Sequence, residues 1–388
     1  MRSDNHADAP ESCLTGHLIE ATPEAPVVVV GGGPIGIETA VALQRRGIPV
    51  AVVEAGCIGN TISWWAPQTQ WFSSNDRIAI AGVPLQTIGQ TKATREEYLT
   101  YLRCVADQMD VSMRTFTRVV AATESECGFQ VQVARGPAWD SPVFGSIAAS
   151  ALVLAIGGTD HSNRLGVPGE DLPHVDGYLR EVHRYHGRRV LIIGGRNSAV
   201  EAVIRLQRAG AEVTLSYHRT TLPDESIKYW LRPEINGLIQ SGRIAAYFGT
   251  RVTEITDTDV ELETSGSDSP AKRFRHHFDD VLTLIGYRQD SRLFRSLGVQ
   301  TEGDSGRPIY DPTTMETDRA GIFVAGTAIG GTQSSKYRVF LENCHIHADR
   351  IAETLAQRLQ SSTTKSSVAA PRSAQQPLQR QIELQPES

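Results

Sequence analysis

The chain has 388 residues, 40% of them hydrophobic and 21% charged, with a formal net charge of -6. That length allows two domains of ordinary size, and the composition is that of a folded, soluble protein. The acidic balance argues against a nucleic-acid partner, and no apolar run is long enough to cross a bilayer, so no membrane partner is expected.

Residues 1–25 are polar and lack the apolar centre of a signal peptide, so they read as a disordered leader on a cytoplasmic protein. At Val27 the character changes. Four valines predict a buried strand, and Gly31, Gly33 and Gly36 then fit G-x-G-x-x-G ahead of a helix over 37–46. A second strand closes on Glu54. The glycines allow a tight turn, a close approach to a pyrophosphate, and helix-on-strand packing. The helix N-terminus offers free N–H groups to phosphate, and Glu54 stands where a carboxylate can accept from a ribose. Three of the five tryptophans follow within Thr61 to Ser74; Trp64, Trp65, Trp71 and Phe72 read either as the lining of a flat cofactor or as a hydrophobic plug.

Thr94 and Glu97 have the spacing of a capping box, predicting a helix to Gln108. Strands are expected over 111–120, 129–134 and 146–156, the last running into Gly157. Then the pattern begins again. Arg189 to Ile193 is a strand, Gly194-Gly-Arg-Asn-Ser-Ala199 a glycine turn, 199–208 a helix and Glu212 to Tyr217 a strand. A strand, glycine turn, helix and strand occurring twice is an internal repeat. The second copy carries Arg196 where the first has its middle glycine, and Tyr217 where the first has Glu54. His218 and Arg219 follow, a basic pair suited to a 2′-phosphate, so this cleft should prefer NADPH to NADH. Leu282 to Tyr287, through Gly286, and Gly321 to Thr327, through Gly326, repeat the strand-to-glycine ending. Ser334 or Ser335 could cap a final helix reaching about Leu359. From Gln360 the Ser/Thr/Gln/Pro-rich chain reads as a disordered tail, residues 360–388.

Five cysteines are present, none in C-x-x-C and none at metal-ligand spacing, so no metal site is expected. Free thiols in a reducing compartment are the simple reading.

These residues resemble the thioredoxin-reductase-like FAD/NAD(P)H flavoproteins, and more narrowly the bacillithiol-disulfide reductase family. The matching stretches are Gly31 to Gly36, Trp71-Phe-Ser-Ser74, Val167-Pro-Gly-Glu-Asp-Leu172, Gly194 to Ala199, Ser226-Ile-Lys-Tyr-Trp230, Ile285-Gly-Tyr287 and Phe340-Leu-Glu-Asn343. A basic residue at Arg196 is itself in keeping with that family. The resemblance implies an α/β fold of two Rossmann-like nucleotide-binding domains, the NADPH domain (166–287) inserted in the FAD domain (26–165 and 288–359), and a homodimer. It implies FAD at Gly31, Gly33, Pro34, Ile35, Gly36, Glu54, Trp71, Phe72, Gly157, Gly326, Thr327, Lys336 and Tyr337. It implies NADPH at Gly194, Arg196, Asn197, Ser198, Ala199, His218, Arg219 and Gly286. NADPH would reduce FAD, and electrons would pass to a low-molecular-weight disulfide such as bacillithiol disulfide.

The chain departs from the pattern in three places. It has no C-x-x-C, Thr327 replaces the aspartate that related flavoproteins set on the ribityl chain, and Ile35 stands where some members carry a cysteine. If a protein thiol takes part, it is Cys344, flanked by His345 and His347; otherwise the flavin acts directly. Two other enzymes would use the same glycine turns: a flavin monooxygenase, whose F-x-G-x-x-x-H is not met by Gly177 to His186, and a ferredoxin or quinone reductase.

Overall fold

The computed structural model describes residues 25–126, 128–264, 271–332 and 339–367. Two five-stranded parallel sheets organise it. The first has the order Ile322–Val324, Ala151–Leu154, Val27–Val30, Val50–Val53 and Met113–Arg114. The second has the order Ala245–Phe248, Glu212–Tyr217, Arg189–Ile193, Asp280–Thr283 and Val175–Asp176. The edge strand Ile322–Val324 pairs with Ala151–Leu154, although the whole second sheet lies between them in sequence. The second fold is therefore an insertion in the first. Two crossings join them, and these pair with each other as short antiparallel strands, His161–Ser162 and Tyr287–Arg288.

Each sheet is all-apolar at its centre because both faces are covered, as parallel sheets require. Val27–Val30 is buried throughout, each valine contributing about 1.5–3 kcal/mol relative to exposure. Helices cover the faces: Pro34–Gln44 and Arg95–Gln108 on the first sheet, Asn197–Arg208 on the second. Each fold also carries a three-stranded antiparallel meander, Thr117–Ser125 with Gly128–Arg135 and Val143–Ala149, and Thr250–Ile255 with Asp259–Thr264 and Arg273–His277.

Several expected boundaries shift. The strand expected over 146–156 is two strands, because the chain leaves the meander at Ser150, whose N–H donates to Pro26, and enters the parallel sheet at Ala151. The strand expected over 111–120 breaks at Phe116, which has φ +50°. The final helix begins at His345 after a 3-10 turn at Leu341–Asn343, and it runs to Ser367 rather than stopping near Leu359. Ser334, Ser335, Lys336 and Tyr337 lie outside the described residues, as do Cys13 and Cys127.

Candidate functional site

Both glycine turns sit at the carboxyl ends of their sheets, and both feed a helix whose N-terminus no side chain caps. The helix Arg95–Gln108 is the control. There Thr94 and Glu97 form a full reciprocal capping box. Leaving the first amides of a helix unclaimed makes sense where a phosphate is to claim them.

In the first turn the three glycines do three jobs. Gly31 has φ +115°, and a Cβ on it would strike the Ala155 carbonyl. Gly36 faces the Gly31 carbonyl so closely that no Cβ fits. Gly33 has nothing within 4 Å where its Cβ would point, so that side of the turn is open space for a ligand. The structure brings Gly157, Gly326 and Thr327 to the same sheet end. Gln289 Nε2 bridges the Gly157 and Ala328 carbonyls at 2.7 and 3.1 Å, while its buried Oε1 has no partner among the described residues. Ile35 packs on Gly326, whose N–H donates to His347 Nδ1 at 3.1 Å.

Glu54 is buried, and its two carboxylate oxygens accept from the Gly32 and Gly56 amides at 2.6 and 2.7 Å. Burial raises its carboxyl above the usual range, against those two bonds. Each oxygen keeps a second lone pair for a ribose hydroxyl. An open turn, uncapped amides, a buried carboxylate and an orphaned amide oxygen fit an adenine dinucleotide such as FAD.

Trp71 and Phe72 part company. Trp71 lies between Trp65 and Tyr98, its ring tilted to both with centres 4.9 and 4.5 Å apart, and its buried indole N–H is unpartnered among the described residues. Phe72 instead faces the second fold, 6.2 Å from Trp230. The whole block acts as a wedge between the folds. Trp64 meets Tyr178 and Tyr287, Ala66 packs on the second core, and Arg205 donates to the Pro67 carbonyl.

In the second turn Gly194 has φ +142° against the Leu284 carbonyl, and Ala199 packs beside it. Gly286 lies in the loop after Asp280–Thr283, the strand beside Arg189–Ile193. Arg196 is the exposed residue before the helix, and Ser198 is exposed in its first turn. Asn197 turns inward, its Oδ1 accepting from the Lys228 N–H at 2.9 Å. His218 and Arg219 are exposed at the strand end, and the structure adds Arg251 to them. Burial, and then the charges of Arg219, Arg251 and Arg196, hold the His218 imidazole below its usual value. Among the described residues none of the three guanidiniums is ion-paired to a carboxylate. Arg251 escaped the sequence reading because it lies in the second meander, outside the repeated strand, glycine turn, helix and strand.

Cys344 is fully buried, donates to the Phe340 carbonyl at 3.1 Å, and burial pushes its thiol up to about 12. His345 joins Glu38 and the Arg77 carbonyl at 2.7 and 2.9 Å. Burial drops the neighbouring His347 to about 4. Among the described residues no group of acids, histidines and cysteines could hold a metal ion, and no helix is long and apolar enough to cross a membrane.

Comparison with known proteins agrees with this geometry. The sequence signature of the family described as pyridine nucleotide-disulphide oxidoreductase matches residues 28–326. Bacilliredoxin reductase Bdr of Bacillus subtilis (strain 168) is 32% identical over 331 residues, covering 85% of this chain and 97% of the relative. The bacillithiol disulfide reductase Bdr (YpdA) from Bacillus cereus superposes with a TM-score of 0.78 at 34% identity, covering 86% of this chain and 99% of that one. Its counterpart from Staphylococcus aureus gives 0.77 at 29%, covering 86% and 98%. A thioredoxin reductase from T. acidophilum shares the fold, with a TM-score of 0.64 at 20% identity. The chain therefore belongs to the pyridine nucleotide-disulphide oxidoreductases, with FAD and NAD(P)H as its cofactors.

Proposed function

We propose that this enzyme takes its electrons from NADPH and delivers them, through FAD, to a low-molecular-weight disulfide such as bacillithiol disulfide. The observation that carries the reading is the charge difference between the two clefts. A buried acid, Glu54, closes the first, and a cluster of Arg196, Arg219, Arg251 and His218 closes the second. A carboxylate suits a free ribose diol, and unpaired guanidiniums suit a 2′-phosphate. FAD would lie along Gly31 to Gly36, Glu54, Gly157 and Gly326–Thr327, in a domain spanning 26–165 and 288–359. NADPH would lie on Gly194 to Ala199 and the basic cluster, in a domain spanning 166–287.

When bound, the flavin supplies the two-electron relay between a hydride donor and a disulfide. The chain's own groups hold the two nucleotides. Thr327 offers a hydroxyl at the ribityl position. Ile35 gives the flavin side an apolar contact and no nucleophile, and Cys344, buried and protonated, is left out of turnover. The name of the Bacillus cereus relative points to a small disulfide as acceptor. We also place the protein in the cytoplasm as a homodimer, by the same likeness.

The test is anaerobic. NADPH should bleach the flavin absorbance, and bacillithiol disulfide should restore it. Restoration by oxidised ferredoxin or a quinone but by no small disulfide would refute the acceptor. NADPH-driven oxygen uptake coupled to an organic substrate would refute the reductase.

A further inference from the structure

Gln289 is the first residue after the returning crossing Tyr287–Arg288, yet its side chain is committed to the first fold. Its amide nitrogen donates to the Gly157 and Ala328 carbonyls, and its backbone N–H donates to Thr332 Oγ1 at 3.1 Å. Both partners of the amide nitrogen are carbonyls, which only a donor can meet, so the amide has one orientation and Oε1 is turned away from them. The residue is 8% exposed, and Oε1 is buried with no partner among the described residues. A buried acceptor left unpaired is costly, so one held this firmly calls for a donor.

The sheet order identifies that donor. In the first sheet Val27–Val30 is flanked by Val50–Val53 on one side and by Ala151–Leu154, then Ile322–Val324, on the other. Glu54, the ribose acceptor, follows the strand on the first side, and Gly157 and Gly326 follow strands on the second. A dinucleotide laid across these carboxyl ends, with its pyrophosphate on the central glycine turn, runs its flavin half over Gly157 and Gly326. Both loops touch the turn. Ala155 Cβ is 3.5 Å from the place a Cβ on Gly36 would take, and Ile35 Cβ is 3.2 Å from that of Gly326. The loops also touch each other, with the Thr327 carbonyl 3.0 Å from the place a Cβ on Gly158 would take. The part of FAD next to the pyrophosphate is the ribityl chain, and its hydroxyls are donors. We propose that Gln289 Oε1 accepts a hydrogen bond from a ribityl hydroxyl of FAD, so that a residue of the return crossing holds the cofactor of the first fold. Being neutral, the amide does this without adding negative charge beside the flavin. The role rests on the FAD seat proposed above.

The test is a binding measurement. Full-length protein stripped of flavin is titrated with FAD and with FAD analogues that each lack one ribityl hydroxyl, and binding is read from the change in flavin fluorescence. On the wild type, one analogue should bind about 10- to 100-fold more weakly than FAD, the loss expected when a buried acceptor goes unpaired. Gln289→Leu should weaken FAD by a similar factor, and on that variant the same analogue should bind within about twofold of FAD. Gln289→Lys keeps donors for the two carbonyls and lacks the acceptor, so it should lose the same discrimination even if the leucine variant fails to fold. If no analogue is weakened on the wild type, or if the loss is as large on the variants, Gln289 only clips two loops together and the proposal is overturned. An apoprotein that takes up no FAD would sink the seat and this role together. Tight FAD uptake with an undiminished analogue loss on the variants would sink this role alone.

Discussion

The two glycine turns are built on one plan and closed by opposite chemistry. In the first fold the residue ending the second strand is Glu54, which grips the turn by accepting from the Gly32 amide. In the second it is Tyr217, whose ring lies where a Cβ on Gly195 would point. The carboxylate holds its turn by hydrogen bonds and the phenol ring holds its turn by contact. Removing the acid from the second fold makes room for Arg219 and Arg251 without a buried counter-charge. Thus one scaffold serves two nucleotides, and the choice between them lies in one strand-end position and its neighbours.

The largest effect should come from closing the first turn. Gly36→Val drives a side chain into the Gly31 carbonyl, a backbone atom that cannot swing aside. We expect loss of flavin at purification, read as absorbance per chain, and a much lower thermal midpoint. The equivalent position in the second fold is Ala199, already accommodated beside Gly194. Ala199→Gly should cost only about 1 kcal/mol, the helix propensity of the change, with flavin content kept. Equal losses from the two substitutions would break the comparison.

Next in size is the charge cluster. Arg219→Ala and Arg251→Ala should each raise KM for NADPH by about 10- to 100-fold, taking roughly 1.5–3 kcal/mol for a hydrogen bond to a charged group. KM for NADH should move less than about twofold. A matching rise for both nucleotides would remove the 2′-phosphate role. Arg251 sharpens the point, since it comes from the meander rather than from the repeated unit.

The repeat was legible because its signals are local. Buried valines, glycines at fixed spacing and the Thr94–Glu97 box each need only a few neighbouring residues, and each formed as read. The insertion came with the family resemblance, and the structure shows it in the pairing of Ile322–Val324 with Ala151–Leu154 after the second sheet is complete. What could not be read depends on contacts between distant segments. Asn197 reads from the sequence as part of the NADPH turn, and what the sequence does not show is that its Oδ1 accepts from the Lys228 backbone, 31 residues away. The Trp64–Phe72 block looked like one surface, yet Trp71 faces the first core and Phe72 the second fold. Nothing in their spacing distinguishes those directions.

The strand ends also differ in what titrates. Gly326 is held by His347 Nδ1, which must be unprotonated to accept, whereas the Asn163 amide beside Gly286 donates to the Ile285 carbonyl and does not titrate. His347 is pushed down to about 4 when folded, against about 6.5 unfolded. The unfolded chain therefore takes up the proton first. The stability is complete above pH 6.5 and is lost as pH falls toward 4, by roughly 3 kcal/mol. His345 has the opposite sign, because its bond to Glu38 raises it, and its contribution is lost as pH rises through that raised value. His347→Asn keeps an acceptor without the titration and should flatten the fall in thermal midpoint between pH 6.5 and 4. An unchanged slope would show that other groups carry the acid sensitivity.

The smallest change is expected at Cys344. Its thiol is fully buried and donates to the Phe340 carbonyl. With its acidity suppressed to about 12, fewer than one molecule in ten thousand carries the thiolate that disulfide exchange requires at pH 7. Cys344→Ser keeps the donor and shrinks the side chain, so the cost should be about 1 kcal/mol in stability and less than about twofold in disulfide turnover. A hundredfold loss of turnover with flavin content intact would mean that the helix beginning at His345 opens during the reaction. The acceptor would then be met by sulfur from the first fold, and the two clefts would differ in redox chemistry as well as in charge.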